Sequence, residues 1–213
     1  MKRAGLLLIF FGILAFVSHG QRPAADQIET NNGVLTVQPI QHGTLVLSWN
    51  NQQVYIDPTG GAAAFEGLAA PDVVVITHAH GDHMNIETLN ALDTEGVQMV
   101  VPQSVADELP DAFSDQLVIL DNGETTDQLG ISVKAVPMYN LPQSEDAYHT
   151  KGWGNGYVMT FGGKNVYISG DTEDIEEMRS LENIDLAFVC MNLPYTMTPE
   201  QAADAVLDFK PTV

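Results

Sequence analysis

The chain has 213 residues, with 8 Lys and Arg against 28 Asp and Glu and a formal charge of −20. Charge of that sign repels nucleic acid and anionic membrane over roughly a Debye length, about 8 Å at physiological ionic strength. This argues against a nucleic-acid partner, although a local metal site can override the global field.

Met1-Lys2-Arg3 opens the chain with positive charge, residues 5–17 are almost unbroken apolar sequence, and Ser18-His19-Gly20 offers small residues to a signal peptidase. The apolar run is shorter than the roughly 20 residues that a membrane span needs. A signal peptide over residues 1–20 is therefore predicted, with export to the periplasm or the medium and no stable membrane insertion afterwards. Cleavage after Gly20 leaves 6 basic residues against 28 acidic ones, a charge of −22, because Lys2 and Arg3 are removed. What remains suits one domain with a sizeable core. Cys190 is the only cysteine, so no internal disulfide forms and packing must hold the fold together.

Residues 21–33 are polar and read as a loose leader ahead of a domain over 34–213. Residues 34–40, 44–49 and 53–56 form a predicted meander of strands, with Asn50-Asn51 as a turn. Pro71 precedes DVVVIT, a continuous apolar run suited to a strand covered on both faces. Residues 85–92 place Ile86, Leu89 and Leu92 at helical spacing, with Gly96 as a stop. Strand-like residues 97–101, helical residues 103–109 and strand-like residues 116–120 follow. Residues 130–136 and the hairpin YVMTFGGKNVYISG, turning at Gly162-Gly163, add three strands. Residues 172–181 are predicted helical, and 185–189 strand-like, leading into Cys190 as a buried, inert thiol. Thr198-Pro199-Glu200-Gln201 starts the last helix, with Thr198 as N-cap, Pro199 at the first helical position and Gln201 closing a capping box. Strands first, with helices interspersed, predict a layered α/β domain.

Directly behind DVVVIT lies THAHGDH, which places His78, His80, Asp82 and His83 within six positions. Only His42 and His149 are added after residue 20. Residues two apart in an extended chain point the same way, so His78 and His80 can reach one cation. Gly81 lets the chain turn, and Asp82 and His83 then open the following helix. Four candidate ligands exceed what one tetrahedral metal with an open position uses. Two divalent ions explain the cluster better; the donors suit zinc, with manganese or iron as alternatives. A lone histidine at a strand end is usually a satisfied polar group, but three with an aspartate behind a buried strand point to metal. Asp171, in the GDT behind NVYIS, reads locally either as a ligand or as a cap for the next helix.

THAHGDH resembles the H-x-H-x-D-H signature of the metallo-β-lactamase fold superfamily. GDT at residues 170–172 looks like its later aspartate motif and IDP at residues 56–58 like its early one; the likeness runs from about Val34 to the end of the chain. VPMYN, KGWGNGY and YTMTPEQAADA further resemble the branch of metal-dependent hydrolases grouped with ascorbate-phosphate lactonases. The resemblance implies a four-layer αββα sandwich with a dinuclear site at one edge. His78 and His80 would bind the first metal, Asp82 and His83 the second, and Asp171 would bridge them. Asp57 resembles an aspartate that accepts the other N–H of a metal-binding histidine; taken alone, it is an ordinary Asp-Pro turn. His42, in QHGT, resembles a histidine near the metal edge in the same branch, and taken alone is a loop residue. Two departures stand out. Where the family supplies another histidine after a strand, this chain has Asn140, and His149 is either its replacement or a residue of the rim. The family's last histidine would lie beyond Val213, so a C-terminally truncated domain is expected.

The chemistry implied is hydrolysis by a metal-bound hydroxide, since a metal lowers the pKa of water to about 7 in favourable zinc sites. Asp82 or Asp171 would move the proton to the leaving group. The substrate would be a small molecule carrying an ester, lactone, amide or phosphoester; a metal-binding module without catalysis is the alternative. Substrate choice is placed in residues 138–156, where Tyr139, Asn140, Tyr148 and Trp153 form the rim and Lys151 meets an anionic group. Gly152, Gly154 and Gly156 let that loop bend, and packing of Trp153 on the domain is its competing role.

Overall fold

In the computed structural model, which describes residues 22–213, β1 (Asp26–Thr30) pairs antiparallel with β2 (Gly33–Gln41). This corrects the loose leader expected before residue 34. Backbone pairing needs no apolar pattern, and in β1 only Ile28 packs on the core, so periodicity gave no sign of the strand. The predicted signal peptide lies outside the described residues.

The meander continues through β3 (Thr44–Trp49) and β4 (Gln52–Ile56). Asn50 and Asn51 join them with φ of 50° and 63°, left-handed at both positions as a tight hairpin turn requires. β5 (Val73–Val75), β6 (Gln98–Val101) and β7 (Leu117–Ile119) then add in parallel, giving seven strands in chain order. The last two parallel steps are bridged by α1 (Ile86–Ala91), whose N-cap Asn85 accepts from the Thr88 amide, and by α2 (Gln103–Glu108).

The second sheet runs β12-β11-β10-β9-β8, made from β8 (Thr125–Gln128), β9 (Ile131–Met138), β10 (Gly154–Phe161), β11 (Lys164–Ile168) and β12 (Leu186–Phe188). β8 is a polar edge strand, TTDQ, with no apolar alternation to betray it. The helix expected over residues 172–181 shrinks to one turn, α3 (Glu176–Arg179), because Thr172 is tied to the Tyr139 backbone instead. α4 (Pro199–Phe209) forms as expected, with the Thr198/Gln201 capping box closed in both directions. Residues 212–213 lie beside the outer edge of β12, where Val213 accepts from the Ala187 amide and donates to Asp185.

Three apolar layers hold these elements together. Val73 and Val75 face the other sheet and meet Tyr157, Met159 and Phe161, while Val74 faces outward with Leu89 and Val105 from the helices. That alternation explains an all-valine strand buried on both faces. On the far side, α3 and α4 place Met178, Ala202, Ala205 and Phe209 on Tyr167. The order is helix, sheet, sheet, helix: the four-layer sandwich expected from the motifs. Among the described residues, no helix is long and apolar enough to cross a membrane.

Candidate metal centre

The chain leaves β5 at Val75, and the His80 carbonyl then accepts the amides of His83 (2.9 Å) and Met84 (2.7 Å). This tight reversal folds the cluster on itself: the rings of His78 and His83 lie 4.2 Å apart and those of His78 and His80 4.9 Å. From β10, the Asn155 amide donates to the Thr77 carbonyl, pinning the start of the turn to the second sheet. Gly154 is required there, since an added Cβ would lie 3.0 Å from both His78 Cβ and the Thr77 carbonyl. Gly154 and Gly156 were expected to let a loop bend; they belong instead to β10, where backbone approaches backbone and side chain closely.

Asp57 organises the buried side of the cluster. Its Oδ1 accepts the Thr77 amide at 2.7 Å, and its Oδ2 accepts both the Thr77 hydroxyl and His83 Nδ1 at 2.7 Å. Having donated its hydrogen to Asp57, Thr77 Oγ1 is an acceptor for His78 Nδ1 at 2.9 Å. One carboxylate thus fixes the tautomer of two histidines, each with Nδ1–H inward and Nε2 toward the site. Burial alone would lower the pKa of His83, but Asp57 and then Asp171 override it and raise it to about 10 in the metal-free protein. His78 moves the other way: burial, reinforced by the surrounding imidazoles, holds it well below its ordinary value.

His149 swings in beside them. Asn140 Oδ1 accepts its backbone amide at 2.8 Å and its Nδ1 at 3.1 Å, which leaves Nε2 3.2 Å from His80 Nδ1. Burial outweighs the attraction of Asp171 and lowers the His149 pKa to about 4, so the imidazole is neutral. Asn140 is buried and also donates to the Tyr195 carbonyl; it is a support for His149, not the rim residue expected. Tyr139 is likewise no rim residue, because its ring is buried with the α3–α4 layer and its hydroxyl donates to Glu177. Lys151 pairs with that same Glu177 at 2.6 Å and sits over the Tyr139 ring, away from the centre. Trp153 does reach it, with its ring 4.7 Å from that of His80 and 5.6 Å from that of His78.

Asp171 closes the arrangement from the end of β11. Its Oδ1 lies 3.4 Å from His83 Nε2 and its Oδ2 3.8 Å from His149 Nε2, one oxygen toward each side. Burial would raise its pKa, but His83 holds it below the usual carboxylate range. Asp82 is more open and meets His42 Nε2 at 3.0 Å. Three groups have donor atoms within 4.8 Å of one another: His78 with His80 and His149, His78 with His83 and Asp171, and His42 with Asp82 and His83. Meanwhile the Nε2 atoms of His78 and His83 are buried without a hydrogen-bond partner. An unmet buried nitrogen costs about 1–3 kcal/mol, and two aimed into a ring of imidazole and carboxylate donors are what a divalent cation satisfies.

Two cavities open on this centre. One of about 380 Å³ is lined by His80, Asp82, Tyr148, His149, Asp171 and Tyr195. The other, of about 310 Å³, lies behind His42, His83 and Asp171 and has an apolar wall of Phe188 and Met191. Cys190, expected buried, is half-buried and borders the second cavity, its thiol pushed up by burial and bonded to the Thr172 carbonyl.

The sequence profile of the Beta-lactamase superfamily domain matches residues 47–213. The chain belongs to the metallo-β-lactamase superfamily. A UPF0173 metal-dependent hydrolase of Thermococcus onnurineus is 32% identical over 170 residues, covering 76% of this chain and 74% of that protein. Another, from Deinococcus radiodurans, is 29% identical over 191 residues, covering 84% and 82%. A Parabacteroides distasonis protein designated a metal-dependent hydrolase superposes with a TM-score of 0.80 at 35% identity, covering 88% of this chain and 84% of that one. Within the metallo-β-lactamase signature, every residue singled out from THAHGDH, IDP and GDT comes to one place. Sequence reasoning missed the roles of Thr77 and Tyr195: both lay in quoted stretches, THAHGDH and YTMTPEQAADA, but neither carries ligand chemistry and only the fold brings Tyr195 to the cleft.

Proposed function

We propose that the chain hydrolyses an ester, lactone or amide bond in a small, uncharged molecule, using two divalent metals, zinc by preference. His78, His80 and His149 would hold one metal and Asp82 and His83 the other, with Asp171 between them. The observation that carries this reading is the pair of buried Nε2 atoms on His78 and His83 that lack a hydrogen-bond partner, with only the Asp171 carboxylate near His83, at 3.4 Å. When bound, the metals supply a water acidified to a pKa of about 7 and electrostatic pull on the electrophile's oxygen.

The protein's own residues do the rest. Asp57 holds two imidazoles in the metal-binding tautomer, and Asn140 does the same for His149. Asp82, open to the cleft, is better placed than the pinned Asp171 to pass a proton to the leaving group. Tyr148 and Tyr195, with rings 4.9 Å apart, border the cleft and offer apolar faces to the substrate. No Lys or Arg lines either cavity, and the chain is strongly acidic, which favours an uncharged substrate over a phosphoester.

The test is turnover of chromogenic esters, lactones, lactams and a phosphodiester, before and after chelation. Turnover of a neutral panel member, lost on chelation and restored by zinc, is expected. Activity that survives complete metal removal would overturn the mechanism, and stoichiometric metal without any turnover would favour a binding module. The proposed export is checked separately, by N-terminal sequencing of the extracytoplasmic protein, which should begin at Gln21.

A further inference from the structure

We propose that His42 is a direct ligand of the metal held by Asp82 and His83, an inference that rests on the functional reading above. His42 occupies the β2–β3 turn, which is built against the centre. An added Cβ on Gly43 would lie 2.8 Å from His83 Cε1 and 3.2 Å from its Nδ1, so only glycine lets the turn approach this far. His42 itself has φ of 46°, a left-handed conformation sparsely used by residues other than glycine. That conformation carries the imidazole over the site, with its ring centroid 5.1 Å from that of His83.

His42 Nε2 lies 3.0 Å from Asp82 Oδ2, and one donor atom from each of His42, Asp82 and His83 falls within 4.8 Å of the others. Metal–ligand bonds of about 2.0–2.2 Å place neighbouring donors of one coordination shell about 3 Å apart. The spacing of His42 and Asp82, now that of an ion pair, also fits two ligands on one ion. An independent sign comes from His83: its Nε2 is buried and has no hydrogen-bond partner, while its Nδ1 is committed to Asp57. Two imidazole nitrogens and a carboxylate oxygen form a donor set suited to zinc. The turn between two early strands thereby joins a site otherwise supplied by the loop after β5 and by Asp171 after β11.

The competing role for His42 is a hydrogen-bond donor to Asp82 from outside the shell, and substitutions separate the two. The whole chelator-stripped protein is titrated with Co²⁺, read by visible absorption and by elemental analysis after dialysis. Wild type should take up two ions per chain. His42→Ala should retain one and bind the second at least ~100-fold more weakly, more than the 10–100-fold typical for losing an outer partner. His42→Asp, which supplies an oxygen ligand, should restore the second ion, whereas His42→Asn should not. Uptake of two ions by His42→Ala with wild-type affinity would overturn the assignment. So would the reverse ranking, in which His42→Asn keeps the second ion and His42→Asp loses it through repulsion of Asp82. A wild type that binds no metal would instead bring down the functional reading itself. Circular dichroism of each variant separates lost metal from lost fold.

Discussion

Replacing Asp57 with Asn tests the electrostatic scaffold beneath the metal centre. The carboxylate is 1% exposed and accepts three hydrogen bonds, one of them from a histidine that is 3% exposed. In Asp57→Asn one acceptor oxygen survives for the Thr77 amide, but an NH₂ now faces the Thr77 hydroxyl and His83 Nδ1–H. The rise of the His83 pKa from 6.5 to about 10 corresponds to about 5 kcal/mol at about 1.4 kcal/mol per pH unit. That is the order of the about 3–5 kcal/mol expected when one partner of a buried ion pair is removed. Because the folded-state pKa is raised, this stability is fully present below the unfolded value near 6.5 and disappears as pH climbs through about 10. Urea denaturation of chelator-treated protein, followed by tryptophan fluorescence, should therefore show a large loss in Asp57→Asn at pH 6. With a slope of about 2 kcal/mol per molar urea, the midpoint falls by roughly 2 M. Near pH 10.5 the gap should shrink to the cost of the mismatched hydrogen bonds, about 1–3 kcal/mol. An equal difference at both pH values would refute the charge pairing and leave Asp57 as a neutral hydrogen-bonding strut.

Asn140→Ala should weaken the metal at the His78/His80/His149 position about 10–100-fold, since it removes the acceptor that orients His149; competition with a chromophoric chelator measures this. Thr198→Ala should cost about 1 kcal/mol in chemical denaturation through loss of the α4 N-cap, with metal content unchanged. Lys151→Ala should leave KM and kcat unchanged for any substrate found, because its ammonium is engaged by Glu177 away from the cleft; a raised KM would return Lys151 to the substrate's edge.

The residues that the sequence made legible share a property: their role is written in local pattern. The valines of β5 announce a strand buried on both faces, Asn50-Asn51 announces a left-handed turn, and THAHGDH concentrates ligand chemistry that no packing role requires. IDP placed Asp57 behind a histidine, and the structure adds that through Thr77 it serves two. What stayed hidden depends on tertiary placement. β1 and β8 pair through backbone with almost no apolar signal. The choice between Asn140 and His149 turns on a nine-residue excursion that brings both to one point, one as support and the other as donor. Tyr139 and Lys151 sit in the same stretch as Trp153, yet they face the α3–α4 side while Trp153 faces the histidines. Composition cannot assign a loop residue its side.

Whether the THAHGDH turn holds metal is decided by anomalous diffraction at the zinc edge, from crystals of zinc-loaded protein. Two peaks are expected: one at bonding distance from nitrogens of His78, His80 and His149, and one against His83 and Asp82, with Asp171 between. A centre without anomalous signal, in crystals of folded protein exposed to excess zinc, would contradict a metal site there.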